Sequence, residues 1–180
     1  MTMKNVPNFI TCIRILGTII LLFIEPFTTG FYVLYAFCGA TDILDGLIAR
    51  KYNAISEFGS KLDSIADIFY YMVMVFKILP VLVKILPIYV WYMLFGVVAV
   101  RIISYIIAAV RYKCMASHHT YLNKISGFSA FLAPYFVTQS IGDVYCTVVG
   151  VIVSIASLEE LLMHIVFKEY RADMKTIFCK

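Results

Sequence analysis

The chain has 180 residues, of which 62% are hydrophobic and only 14% charged, and its mean hydropathy is +0.91. A soluble domain carries about 25% charged residues, so this composition excludes a soluble globule and points to a chain that lives in lipid. The net charge of +4 suits attraction to anionic inner-leaflet lipids, and no basic stripe with interleaved aromatics lies outside the apolar segments to serve a nucleic-acid partner.

Hydrocarbon about 30 Å thick needs about 20 apolar residues per helical span. The apolar runs predict six such spans, at 8–25, 30–50, 57–78, 87–110, 122–140 and 145–167. The expected fold is therefore an all-α integral membrane domain of six transmembrane helices covering residues 1–180. The first span carries Arg14 and no small-residue cleavage site follows it, so it reads as a retained helix rather than a signal peptide. Pro26, Pro80 and Pro87 fall at or near span edges, where a missing amide matters least. Pro134 falls inside the fifth span and predicts a kink.

Lys and Arg in the short loops set the orientation. With the N-terminus inside, the inner segments hold Lys4, Arg50, Lys51, Arg111, Lys113, Lys168, Arg171, Lys175 and Lys180, and the outer loops hold Lys77 and Lys84. Both termini are thus expected in the cytoplasm. Cys12, Cys38, Cys114, Cys146 and Cys179 show no CxxC spacing and an odd count, which speaks against a disulfide framework and a zinc site.

The second and third spans carry the chemistry. Asp42 and Asp45 are three residues apart, and Asp63 and Asp67 four apart, so each pair lies on one helical face. A short polar turn around Tyr52–Ser56 makes the two helices antiparallel neighbours. Asp45 and Asp63 each stand about 8 Å from that turn along their helices, so the pairs can meet at matched depth. An aspartate at a helix centre in a bilayer costs about 2.5–3.5 kcal/mol. Lys61 and Arg50 could offset two of the four, whereas two divalent cations would offset all of them. An all-carboxylate site suits Mg²⁺ or Mn²⁺, and Mg²⁺ prefers to share its shell with substrate phosphates. The pattern therefore implies a two-metal phosphoryl-transfer site at the membrane face. Gly46, Ala49 and Gly59 add either close helix packing or a flat wall on which a planar base can lie.

The stretch DILDGLIARKYNAISEFGSKLDSIAD, Asp42 to Asp67, resembles the signature of the CDP-alcohol phosphatidyltransferase family at every fixed position: Asp42, Asp45, Gly46, Ala49, Arg50, Gly59, Asp63 and Asp67. The opening NVPNFITCIR is similar to the family's N-terminal pattern, with Pro7, Asn8, Thr11 and Arg14 matching. The resemblance implies a homodimer of six-helix subunits in the cell membrane, each with a polar cavity open to the cytoplasm. It implies that Asp42, Asp45, Asp63 and Asp67 hold two Mg²⁺ or Mn²⁺ ions, with Asp67 also the general base. Gly46 and Ala49 would lie against cytidine, with Arg50 near the nucleotide and Asn8, Thr11 and Gly59 completing the CDP-binding set. The substrates it implies are CDP-diacylglycerol and a polar alcohol.

The acceptor is the open point. Arg101 in the fourth span and Lys124 in the fifth would suit an acceptor bearing its own phosphate, such as glycerol 3-phosphate. Arg101 could equally be a counter-ion of the aspartates, and Lys124 could snorkel to the interface. His118 and His119 read as loop residues. The glycerophosphate-using branch usually places Lys after its last motif aspartate, where this chain has Ile68, and LDSIAD is closer to serine-accepting relatives. Serine, inositol or inositol phosphate, and another CDP-alcohol reaction, therefore stay open. Four intramembrane aspartates with basic partners would also suit a cation or proton transporter, although an ion pathway does not need the Gly, Ala and Arg spacing.

Overall fold

The computed structural model describes residues 6–52, 56–112, 120–167 and 176. The described residues form six helices and no strand: α1 (Val6–Phe23), α2 (Thr29–Lys51), α3 (Glu57–Ile85), α4 (Ile88–Tyr112), α5 (Tyr121–Phe136) and α6 (Gly142–Val166). All but α5 are long and apolar enough to cross a bilayer. A helix satisfies its own backbone polar groups, which hydrocarbon cannot do. Large apolar side chains stand open along these helices, with Phe23 83%, Phe76 73% and Val110 77% exposed, a surface suited to lipid rather than water. This is an all-α, multi-pass membrane protein.

Three boundaries differ from the sequence expectation. α3 continues through Pro80 to Ile85, because membrane helices tolerate the loss of one backbone bond. α5 stops at Phe136, two residues after Pro134, and its 16 residues span about 24 Å, short of the hydrocarbon thickness. A turn then closes through Gln139 N–H to the Phe136 carbonyl and Gly142 N–H to the Gln139 carbonyl, both at 2.9 Å, so α6 begins at Gly142 rather than near 145. The expected turn at Tyr52–Ser56 lies partly outside the described residues, as do His118, His119, Cys114 and Cys179. Cys12, Cys38 and Cys146 are free thiols.

The chain divides into two compact units, Met1–Lys84 and Ile85–Lys180. In the first, α1 packs along α2, and Gly17 permits the approach, since a Cβ there would come within 2.9 Å of Cys38 Sγ. Long side chains tie α3 to this pair. Tyr70 stacks on Tyr35, which stacks on Phe31, at centroid distances of 5.9 and 6.0 Å. Lys77 Nζ donates to the Leu22 carbonyl at 3.0 Å, satisfying one of the orphan carbonyls at the end of α1. In the second unit, α6 packs against both α4 and α5. Gly150 makes room on α6 for Met93 of α4, and Tyr145 of α6 donates to the Ser129 carbonyl of α5 at 2.8 Å.

Candidate active site

The four motif aspartates converge in the first unit, and their cation is Arg14. Its side chain is only 1% exposed and its guanidinium pairs with all four. Nη1 donates to Asp42 and lies 3.2 Å from Asp67. Nη2 donates to Asp63 at 2.5 Å and lies 3.7 Å from Asp45. A charge this deeply buried must be paired, and among the described residues one guanidinium faces four carboxylates, three more than its single charge balances.

Arg50 and Lys61, which the sequence allowed to offset two of the aspartates, bond instead within their own helices. Arg50 Nε donates to the Gly46 carbonyl of its own helix at 3.1 Å. Lys61 pairs with Glu57 at 2.6 Å. Each is satisfied by a neighbour four residues away, which a flexible side chain reaches at less entropic expense than a partner on another helix.

Asp42, Asp63 and Asp67 each offer one oxygen, all within 4.8 Å of one another. Excess negative charge and an all-oxygen donor set thus suit a hard divalent cation, with Asp42, Asp63 and Asp67 near enough to one another to share one. Asp45 is the most enclosed of the four, with a side chain only 5% exposed. The Thr11 hydroxyl lies 3.0 Å from its Oδ2 and 3.0 Å from the Pro7 carbonyl.

Beside the cluster lies a cavity of about 280 Å³. Asn8, Thr11, Gly46, Ala49, Arg50 and Gly59 all line it, together with Asp45 and Asp63. The two glycines serve it differently. A Cβ on Gly59 would sit 2.6 Å from Asn8 Oδ1 and 2.9 Å from Ser56 Oγ, so that glycine lets the start of α3 approach α1. Ser56 Oγ also accepts from Gly59 N–H at 3.0 Å, capping α3. A Cβ on Gly46 would meet only Arg50 Nη2, at an ordinary 3.6 Å. Packing among the described residues therefore does not require glycine at 46, and the cavity wall carries no side chain there.

Arg101 and Lys124 lie in the second unit. Arg101 Nε donates to Ser157 Oγ and Nη2 to Asn123 Oδ1, both at 3.1 Å, while Nη1 lies 3.7 Å from Glu160 Oε2. Asn123 Nδ2 also donates to that carboxylate, at 3.2 Å, and Glu160 is 1% exposed. The carboxylate paired with Arg101 is thus Glu160, while the counter-ion role sequence reasoning offered Arg101 at the aspartates belongs to Arg14. The Lys124 side chain is exposed. The available signal for Arg14 was a charged residue three positions after Thr11 on an otherwise apolar helix, one that puts both on a single face.

The family model for CDP-alcohol phosphatidyltransferase matches residues 4–165. A CDP-diacylglycerol–glycerol-3-phosphate 3-phosphatidyltransferase of Rickettsia typhi is 43% identical over 70 residues, 36% of this chain and 39% of the relative. One from Pseudomonas fluorescens is 41% identical over 35% of each chain. A CDP-diacylglycerol–inositol 3-phosphatidyltransferase of Saccharomyces cerevisiae is 36% identical over 34% of this chain and 29% of the relative. The chain thus spans roughly a third of the length of the curated relatives it matches. No solved structure matches it. With the family model covering both units and the motif residues gathered around one cluster and cavity, the chain belongs to the CDP-alcohol phosphatidyltransferase family.

Proposed function

We propose that this protein transfers a phosphatidyl group from CDP-diacylglycerol to an alcohol, releasing CMP. The observation that carries this reading is the convergence of four carboxylates beside a cavity lined by Asn8, Thr11, Gly46, Ala49, Arg50 and Gly59. Two Mg²⁺ or Mn²⁺ ions held by Asp42, Asp45, Asp63 and Asp67 would neutralise the pyrophosphate and stabilise charge on the departing CMP.

The protein's own groups supply position and proton transfer. The flat wall at Gly46 and Ala49 receives the cytosine face, and Asn8, Thr11 and Arg50 offer polar contacts along the cavity. Asp67 accepts the proton of the acceptor hydroxyl as its oxygen bonds to the lipid-side phosphorus. The phosphorus–oxygen bond to CMP breaks in the same displacement, so the phosphatidyl group ends on the alcohol and the proton on Asp67.

The acceptor proposed first is glycerol 3-phosphate, the alcohol named in the Rickettsia typhi and Pseudomonas fluorescens relatives. Inositol is the second reading, supported by the name of the yeast relative. Arg101 and Lys124 are the proposed contacts to the acceptor. The excess of Lys and Arg on the expected inner segments favours a cytoplasmic active site in the cell membrane, and a cysteine placed near Val83 should then be labelled only from outside.

The deciding experiment incubates purified protein with CDP-diacylglycerol and a panel of alcohols and follows CMP release. Activity should vanish in EDTA and return with Mg²⁺ or Mn²⁺. Asp67→Asn should lower turnover by about 10²–10⁴-fold, typical of a lost general base, while CDP-lipid binding is better preserved. Undiminished turnover in excess chelator would remove the two-metal mechanism, normal turnover of the Asp67→Asn protein would remove the base assignment, and no CMP release with any alcohol would overturn the reading.

A further inference from the structure

Arg14 holds a seat that the metal-cluster reading assigns to cations. The two ends of its fork divide the cluster, Nη1 toward Asp42 and Asp67 and Nη2 toward Asp63 and Asp45. Asp42, Asp63 and Asp67 are also the carboxylates whose oxygens gather within 4.8 Å. A guanidinium and a divalent cation at that spot seek the same carboxylates and repel each other.

The seat is also imperfect. Arg14 Nε is buried with no acceptor among the described residues, and an unsatisfied buried donor is unfavourable. A guanidinium wholly committed to a structural role would be expected to fill all its donors, as its planar fork allows. Arg14 is therefore strongly attracted by the carboxylates but incompletely housed by its surroundings.

We propose that Arg14 is an exchangeable counter-cation, a positioning residue that holds the four aspartates together when metal is depleted and withdraws from them as metal binds. This rests on the metal-cluster reading above. It separates two contributions that a permanent counter-ion would merge. Neutralising Arg14 should destabilise the metal-depleted protein through repulsion among the carboxylates. The same change should tighten metal binding, because no resident cation then has to be displaced.

The test compares wild type with Arg14→Gln in detergent, using Mn²⁺ alone as the probe. Mn²⁺ binding is read by electron paramagnetic resonance, and thermal stability is measured in EDTA and in saturating Mn²⁺. The expected result is a Kd for Mn²⁺ lowered about tenfold or more, the scale of a lost charge-assisted contact. The Tm deficit of the variant in EDTA should shrink when Mn²⁺ is added. Equal or weaker Mn²⁺ binding with an unchanged deficit would make Arg14 a permanent post and overturn the inference, leaving the metal reading intact. Wild type that binds no Mn²⁺ would remove both. If Arg14→Gln fails to accumulate, Arg14→Lys decides: a single ammonium grips fewer carboxylates, so tighter Mn²⁺ binding supports exchange and unchanged or weaker binding refutes it.

Discussion

The Thr11 hydroxyl lies 3.0 Å from Oδ2 of Asp45, joining the N-terminal helix to the most enclosed carboxylate of the motif. Asp45 belongs to the 26-residue signature and Thr11 to a separate pattern 34 residues earlier in the chain. The contact explains physically why the two patterns occur together. A carboxylate with only 5% of its side chain exposed needs hydrogen bonds to stay charged, and α1 offers the Thr11 hydroxyl proton, for which the Pro7 carbonyl, also at 3.0 Å, competes.

Removing that donor should therefore weaken the protein as well as the site. Thr11→Val keeps the side-chain shape but leaves Asp45 short of a partner. Hydrogen bonds to charged groups contribute about 1.5–3 kcal/mol, and a loss of that size is expected in thermal or denaturant unfolding. Thr11→Ser retains the hydroxyl and should lose less than half as much. Equal losses for the two would mean that methyl packing, rather than the hydrogen bond, matters at this position.

Gly46 and Gly59 are both motif glycines lining the cavity, yet alanine should act on them differently. At 59 the added Cβ would press on Asn8 and Ser56. Overpacking of this kind costs about 1–3 kcal/mol, moderated if the Asn8 side chain swings away. At 46 the same atom meets only an ordinary contact with Arg50, so Gly46→Ala should fold normally, helped slightly by helix propensity. Its effect should fall on the KM for CDP-diacylglycerol, which should rise because the cavity wall is no longer flat. A destabilised Gly46→Ala with unchanged KM would reassign that glycine to helix packing.

The motif itself was readable because its information is local. Spacings of three and four put each aspartate pair on one helical face, and only a few residues of sequence separate the end of α2 from the start of α3. The Lys61–Glu57 ion pair is local too, an i,i+4 contact, but the sequence reading offered Lys61 to the aspartates instead. Arg14 was harder to place because its partners lie 28 and 49 residues away, and a local spacing rule does not report which distant helix a charge will meet. Its identity as a buried arginine in an apolar helix was the clue, since such residues pair inside the protein. The shortened α5 also had a local sign, Pro134 followed closely by the polar run Thr138, Gln139 and Ser140. That run competes with the helix for backbone hydrogen bonds. The Glu160–Arg101 pair had none beyond the charges themselves, because it joins α6 to α4 across 59 residues.

The Glu160 pair changes how the acceptor hypothesis has to be tested. Arg101→Gln alone would leave a carboxylate that is 1% exposed without its cation, and breaking a buried pair from one side costs about 3–5 kcal/mol. A loss of activity could then reflect poor folding. The double change Arg101→Gln/Glu160→Gln removes both charges and retains amide groups that can hydrogen-bond Asn123 and Ser157. Its stability should return close to wild type. If Arg101 contacts a phosphate on the acceptor, the acceptor KM of the double variant should still be raised by about 10- to 150-fold, matching one charge-assisted hydrogen bond. The KM for CDP-diacylglycerol should change far less. Lys124 is exposed, so Lys124→Gln should leave stability unchanged and raise the acceptor KM in the same direction. Recovery of both stability and acceptor KM in the double variant would make Arg101 a structural partner of Glu160. Together with an unaffected Lys124→Gln, it would shift the acceptor from a phosphate-bearing alcohol to a neutral one such as inositol.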